Sequence, residues 1–332
     1  MADCNNLIQE FNSTIKLSNS KKESLKTSRK DLRKKIRTDF NKNRPDEIQP
    51  KFMGQGSFET DTSINPIPRR VEIDGEEKSL YKYDLDDGVY FIGDEDDRNS
   101  IYTYHNWIYE AVYGHTAQKP IDKNTCVRVI FSDGHNIDLP IYYKKETTPE
   151  LAHKGKGWIF SDPREFIDWF EKKAKENPQL RRIIRYLKAW CDYREFNNSS
   201  KKMLSGFIMT ILATNHQCKH DRDDVALKET LINIQAELSR EFKCERPTTP
   251  KGENLLEEYT QKEYFMNELA KFIDNAKKAL EEKNQKKACE YWQMIFGNRF
   301  SCVNAIDVDE YKNENSALVA GAYSSRPWVR KI

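Results

Sequence analysis

The sequence predicts an α+β fold: a strand-bearing first half, an all-helical second half, and a long charged helix near the N-terminus. Three observations carry this. Residues 21–43 place Leu25, Leu32, Ile36 and Phe40 on one face, at spacings of seven, four and four, in an otherwise polar segment. Between 81 and 92, Tyr81, Tyr83 and Leu85 alternate with Lys82, Asp84 and Asp86, the period of a half-buried strand, and 124–143 holds two further strand runs. From about residue 158 the period becomes helical, at 180–190, 203–214, 224–242, 257–283 and 285–296.

Each element has a local reason. The narrow apolar stripe of 21–43 suits a helix lying across a body with its other face in water, and Pro45 and Pro50 end it. KFMGQGSFETD at 51–61 carries two closely spaced glycines, marking a strand-to-helix turn or a tight loop. Residues 66–78, with Pro66, Pro68, Gly75 and many charges, are expected to be loop. Asp133-Gly134 is a hairpin dipeptide joining TCVRVIFS to NIDLPIYY. Ser161-Asp162-Pro163 is a helix cap followed by proline in the first turn. No internal repeat is found.

Bulk properties bound the function. The 332 residues suffice for one bilobal unit, divided here into 1–155 and 156–332. Charged residues make up 33%, but 55 basic against 53 acidic leaves +2, so strong nucleic-acid binding is not expected. The basic run Lys21–Lys42 is broken by acids and reads as a solvated helix face. Apolar residues make up 37% and mean hydropathy is −0.87, a modest core under a polar surface. No apolar run could span a bilayer and the N-terminus has no secretory h-region, so a cytoplasmic protein off the membrane is expected. Seven scattered cysteines without a CxxC pair are read as reduced thiols.

The central feature is Asp84-Leu85-Asp86. On a strand, residues i and i+2 share a face, so two carboxylates stand side by side. Such a pair repels itself unless a cation intervenes, and a hard divalent metal is the common answer. Asp138, flanked by Ile137 and Leu139 in a second strand run, would join them if the two strands pair. Three carboxylates can hold two metals in the geometry of in-line phosphoryl displacement. By itself the acidic pair is a weak signal, because Asp87, Asp94, Asp96 and Asp97 make the whole region acidic. The upstream Gly54-Gln55-Gly56-Ser57 strengthens it, since glycines let backbone N–H groups approach phosphates and a serine adds a donor. A Gly-Ser turn, a DxD and a later strand aspartate together resemble the polymerase-beta-like nucleotidyltransferase pattern.

The chain further resembles the bacterial CD-NTases, the cGAS/DncV-like nucleotidyltransferases of antiphage (CBASS) signalling. The similar segments are GQGSFETDT at 54–62, YDLDDGVYF at 83–91, HNIDLPIYY at 135–143, FSDPREFIDWF at 160–170, LRRIIRYLKAW at 180–190 and IFGNRF at 295–300. The resemblance implies a mixed-sheet catalytic lobe with an N-terminal spine helix and an oligoadenylate-synthetase-like helical lobe. It implies that Asp84, Asp86 and Asp138 are catalytic and hold two Mg²⁺ ions, with Mn²⁺ as a substitute. Gln55, Gly56 and Ser57 would contact the donor triphosphate, and Lys188 and Ser205 would reach it from the helical lobe. Without the resemblance, Lys188 reads as a solvated helix lysine and Ser205 as a helix N-cap.

The implied reaction makes a cyclic dinucleotide from GTP and ATP, cyclic di-GMP or 3',3'-cyclic GMP-AMP, as a second messenger in antiviral defence. A downstream effector would sense it, and the enzyme is expected to be a monomer. The segment Tyr143–Trp158 is shorter than in the longer relatives, so their regulatory small-molecule site is not expected. The alternatives are a linear nucleotidyltransferase acting on RNA or a small acceptor, and an inactive nucleotide-binding homologue. Among weaker signals, His216-x-Cys218-x-His220 with Cys244 or Asp223 could bind zinc, though it lacks the usual paired cysteines. Tyr81, Tyr83 or Tyr193 could stack on bases, but core packing is the simpler role. Residues 246–250 read as a turn, and the terminal SSRPWVRKI as a loose tail or a docking segment through Trp328.

Overall fold

The computed structural model describes residues 2–73 and 76–308. The first part of the chain forms α1 (Asn5–Ile15), α2 (Asn19–Asn43), β1 (Lys51–Gln55), α3 (Gly56–Glu59), β2 (Arg69–Ile73), β3 (Glu76–Leu80), β4 (Asp84–Ile92), α4 (Ile101–Val112), β5 (Ile121–Asp122), β6 (Cys126–Ile130), β7 (Asn136–Lys144), β8 (Glu150–His153) and β9 (Gly157–Phe160). Helices follow: α5 (Pro163–Glu176), α6 (Gln179–Asn197), α7 (Gly206–His216), α8 (Asp223–Arg240), α9 (Lys262–Glu281) and α10 (Gln285–Phe296). The α+β architecture expected from the sequence is observed.

Seven strands make one mixed sheet in the order β1-β4-β7-β6-β5, with β8 pairing the end of β7 and β9 pairing β8. Only β4 and β7 run parallel; the other pairs are antiparallel. Because side chains alternate along a strand, β4 and β7 each have one core face. Leu85, Val89 and Phe91, with Ile137, Leu139, Ile141 and Tyr143, pack against Leu25, Leu32, Ile36 and Phe40 of α2 and Tyr104, Ile108 and Val112 of α4. Each such side chain contributes roughly 1.5–3 kcal/mol by leaving water. The four α2 residues are those of the stripe read from the sequence, and all are buried.

Asp87 falls on the same buried face. A charge there must be paired, and Arg33 of α2 supplies a guanidinium fork, with Nε 2.7 Å from Oδ2. At the other end of α2, Ser28, His135 and Asp133 are hydrogen-bonded in the order of a hydrolase triad. His135 is only 2% exposed, so no substrate reaches it, and the set ties α2 to the β6–β7 turn.

A second core lies among the helices, built on Trp190, Phe265, Phe272, Trp292 and Phe296. Leu7, Ile8, Phe11 and Ile15 of α1 join it, whereas α2 packs on the sheet. The chain therefore starts in the helical layer and crosses to the sheet between Ile15 and Asn19.

Several expectations are corrected. Residues 66–78 are not all loop: Arg69–Ile73 and Glu76–Leu80 pair as an antiparallel ribbon. Each strand is only five residues long and rich in charge, so it carries little hydrophobic period to read. The strand read from residue 81 begins at Asp84, the helix read from 203 begins at Gly206 behind its Ser205 cap, and the helix read from 257 begins at Lys262. Cys289 and Cys302 form a disulfide rather than two thiols, because α10 and the turn after it return the chain to a Cα separation of 5.8 Å. The terminal SSRPWVRKI segment lies outside the described residues.

Candidate active site

The second face of β4 and β7 opens on a cleft of about 840 Å³ bounded on its far side by α6 and α7. A cavity of this size suits a nucleotide-scale ligand. Register builds its floor. Gln55 of β1 is opposite Asp86, Asp86 is opposite Asp138 of β7, and Asp138 is opposite Arg128 of β6. Four strands thus contribute one row of polar side chains, with Asp84 two residues along on the same face. Asp84, Asp86 and Asp138 all line the cleft.

This row is electrostatically costly. Burial, then the charges of Asp84 and Asp138, push the Asp86 carboxyl up to about 8. Burial and the charge of Asp138 raise Asp84 too, partly offset by Arg128 and Lys188. Asp138 is held by the Arg128 fork, Nε to Oδ1 and Nη2 to Oδ2 each 2.6 Å, with Lys123 Nζ 3.5 Å away. Arg128 was not singled out from the sequence. Its signal was the alternation of TCVRVIFS, which puts it on the face of Asp138 once the hairpin is formed.

Among the described residues no three acidic, histidine or cysteine side chains are drawn into a closed metal cage. Both oxygens of Asp138 bond Arg128 instead. The donor set nevertheless fits a hard divalent cation, since Asp84, Asp86 and Asp138 offer only oxygen ligands and share one face of the sheet.

The turn after β1 presses on the same carboxylates. Gly56 has φ 72°, and a Cβ there would lie 2.1 Å from Asp86 Oδ2, so only glycine fits. Gln55 is buried; its Nε2 donates to Tyr142 Oη at 3.3 Å and its Oε1 has no partner among the described residues. Ser57 lines the cleft, with its Oγ 2.9 Å from Ser63 Oγ.

Lys188 also lines the cleft, donating from Nζ to Thr62 Oγ1 at 3.1 Å. Burial lowers its amine to about 8, against the pull of Asp84 and Asp86. Ser205 caps α7, accepting from the Ile208 amide at 3.3 Å; it is exposed at the rim, between the lining residues Leu204 and Gly206. Of the three tyrosines, Tyr83 lines the cleft, with its hydroxyl donating to Asp133 at 3.3 Å. Tyr81 lies under the Lys21 ammonium, and Tyr193 packs over Gly297. The zinc candidates are not gathered. Asp223 is held by Arg182, Gln179 and Tyr186, His220 accepts from the Arg222 amide, and Cys244 is buried beneath residue 254.

Residues 50–142 match the family model for the nucleotidyltransferase domain of cyclic GMP-AMP synthase DncV-like proteins. A cyclic GMP-AMP synthase of Escherichia albertii is 29% identical over 203 residues, covering 57% of this chain and 42% of that protein. A cyclic AMP-AMP-AMP synthase of an Acinetobacter species is 27% identical over 175 residues, covering 50% of this chain and 48% of that protein. The chain spans about half the length of the curated relatives it matches. Among solved structures, Vibrio cholerae DncV cyclic AMP-GMP synthase with nonhydrolyzable GTP shares the fold at TM-score 0.72 and 19% identity, covering 87% of this chain and 93% of that one. The same enzyme with the linear intermediate 5' pppA(3',5')pG gives TM-score 0.71 over the same shares. The turn and all three aspartates thus lie in a stretch that matches a DncV-like nucleotidyltransferase domain.

Proposed function

We propose that the protein joins purine nucleoside triphosphates into a cyclic dinucleotide, cyclic di-GMP or 3',3'-cyclic GMP-AMP. The observation that carries this is the row Gln55–Asp86–Asp138 across β1, β4 and β7, with the Gly56 turn against Asp86 and Lys188 facing it over the cleft. The related cyclic GMP-AMP synthases and the DncV complexes with GTP and a linear dinucleotide support the same chemistry.

Gln55, Gly56 and Ser57 receive the donor triphosphate on the turn, where N–H and hydroxyl donors meet phosphate oxygens. Lys188 adds a cation from the helical side. Asp84, Asp86 and Asp138 would hold two Mg²⁺ ions, which Mn²⁺ can replace; bound there, they neutralise phosphate charge and favour ionisation of the attacking 3'-hydroxyl. Asp138, tied to Arg128, is placed to orient that hydroxyl. The attacking 3'-oxygen gives up its proton to water and bonds the α-phosphorus as the bond to pyrophosphate breaks; the linear product then reverses in the cleft, and its free 3'-hydroxyl attacks the remaining α-phosphorus in the same way, closing the ring with loss of a second pyrophosphate. Catalysis is then mainly positioning and charge neutralisation. The product would act as a second messenger in the cytoplasm, sensed by an effector in antiviral defence.

The test is incubation of the purified chain with all four NTPs and Mg²⁺, with products resolved by mass spectrometry, beside an Asp84→Ala, Asp86→Ala double variant. A phosphatase-resistant cyclic product, absent from the variant, supports the reading and names the bases and ring size. Open-chain products alone would assign a linear transferase. Absence of any nucleotide product with Mg²⁺ or Mn²⁺ would count against both.

A further inference from the structure

Helix α6 carries four side chains on one stripe, Arg181, Arg185, Lys188 and Asp192, spaced by four, three and four residues. All four bond the backbone of the segment after the glycine–serine turn, in chain order. Arg181 Nε donates to the Thr60 carbonyl at 3.1 Å, Arg185 Nη1 to the Asp61 carbonyl at 2.6 Å, and Lys188 Nζ to the Thr62 carbonyl at 3.3 Å. Asp192 Oδ2 then accepts from the Ile67 amide at 2.8 Å. Three consecutive carbonyls, in a stretch outside any helix or strand, thus have one cation each.

The middle rung is the most constrained. Asp61 has φ 50°, a region non-glycine residues seldom occupy. Its carboxylate meets Lys22 at 2.6 Å, Lys16 at 3.3 Å and Arg185 at 3.8 Å. Arg185 is 4% exposed and also donates from Nε to Asn12 Oδ1 of α1 at 2.8 Å. Burying a guanidinium is costly unless its donors are met, and here Nη1 is met by the Asp61 carbonyl and Nε by α1.

Thr60, Thr62, Ser57 and Lys188 line the cleft, whereas Arg181 and Arg185 stand behind them. We propose that Arg181 and Arg185 are positioning residues for triphosphate binding, holding residues 60–62 on α6 so that Ser57, Thr62 and Lys188 present their donors in one register. This rests on the reading that the turn receives a triphosphate. Neither arginine touches the nucleotide; each acts through a backbone carbonyl.

The test uses the full chain as Arg181→Gln, Arg185→Gln and Arg185→Lys, with three readouts: thermal unfolding, Kd for a non-hydrolysable GTP analogue with Mg²⁺, and the split between KM and kcat in NTP consumption. Loss of one charge-assisted bond that orients a site predicts a rise of about tenfold in Kd and KM for Arg181→Gln, with kcat less affected and the protein still folded. Arg185→Lys, which keeps a donor for the Asp61 carbonyl, binds more tightly than Arg185→Gln. If Arg185→Gln fails to fold, the other two variants carry the test. Folded Arg181→Gln binding the analogue within twofold of wild type, or folded Arg185→Gln binding it as tightly as Arg185→Lys, overturns the inference alone. Failure of the wild type to bind the analogue overturns it together with the proposed function.

Discussion

Replacing Gly56 with alanine separates the turn's backbone role from its contact with the carboxylates. Two costs arise. The residue sits at φ 72°, where an L side chain costs roughly 1–2 kcal/mol. The new Cβ also falls 2.1 Å from Asp86 Oδ2, and that oxygen must retreat by about 1.3 Å to reach an ordinary 3.4 Å contact. The carboxylate is the free end of a side chain, so the sheet survives while Asp86 turns away. A misplacement on the order of 1 Å at a reacting centre costs about 100-fold in rate. Gly114 is the internal control: it has φ 67° with open space around its missing Cβ, so Gly114→Ala bears the backbone cost only. Pyrophosphate release at saturating NTP and Mg²⁺, beside thermal unfolding, reads both effects. The expected outcome is a fall of a few degrees in Tm for both variants and loss of kcat for Gly56→Ala alone. Gly56→Ala within threefold of wild-type kcat would refute the reasoning, because Asp86 would then not depend on the space Gly56 leaves.

Other perturbations read other parts of the molecule. Arg128→Ala leaves Asp138 beside Asp84 and Asp86 without its fork; with the Arg128 side chain 25% exposed, a loss of roughly 1–3 kcal/mol is expected in EDTA. Mg²⁺ should stabilise this variant more than wild type, and equal Mg²⁺ shifts in thermal melts would show that metal and guanidinium do not share the carboxylates. Asp223→Asn removes the buried charge shared by Arg182, Gln179 and Tyr186 and replaces one acceptor oxygen with a donor, at a cost of about 3–5 kcal/mol measured by denaturant unfolding at neutral pH. The Arg182 and Gln179 bonds, outweighing burial, hold the Asp223 pKa below its usual 3.8, so its stabilisation is present above that value and is lost as pH falls through the lower folded pKa. The variant should therefore show a flatter acid limb than wild type. Ser205→Asp keeps an N-cap acceptor and so the Tm, but sets a negative charge at the cleft rim. Weaker binding of a GTP analogue with unchanged Tm would mark Ser205 as phosphate-facing, and unchanged binding would leave it a cap alone.

Much of the site was legible because it obeys short-range rules. Period two put Asp84 and Asp86 on one face, and the structure has both in the cleft. The capping residues Asp162 and Ser205 were visible from their neighbours, and both accept from backbone amides of the next helix. The β2–β3 ribbon escaped because its strands are only five residues each and rich in charge, and the Cys289–Cys302 disulfide because its partners meet only after a helix ends and the chain turns. Arg128 escaped because one arginine in a strand has no meaning until its cross-strand neighbour is known.

The sequence by itself determined where strand period gives way to helix period, which face of the Asp84–Asp86 strand carries charge, and that a glycine-marked turn precedes it. Those follow from backbone geometry and from neighbours a few residues apart. Only the tertiary structure decided that Asp138 lies opposite Asp86, since β4 and β7 are parallel neighbours joined by a long crossover. It alone seated α1 in the helical core, and it alone aligned Arg181, Arg185 and Lys188 with carbonyls 121 to 126 residues earlier in the chain. The physical reason is the same in each case: such contacts join segments distant in sequence, and their partners are chosen by how the two cores pack rather than by any local preference of the residues that meet.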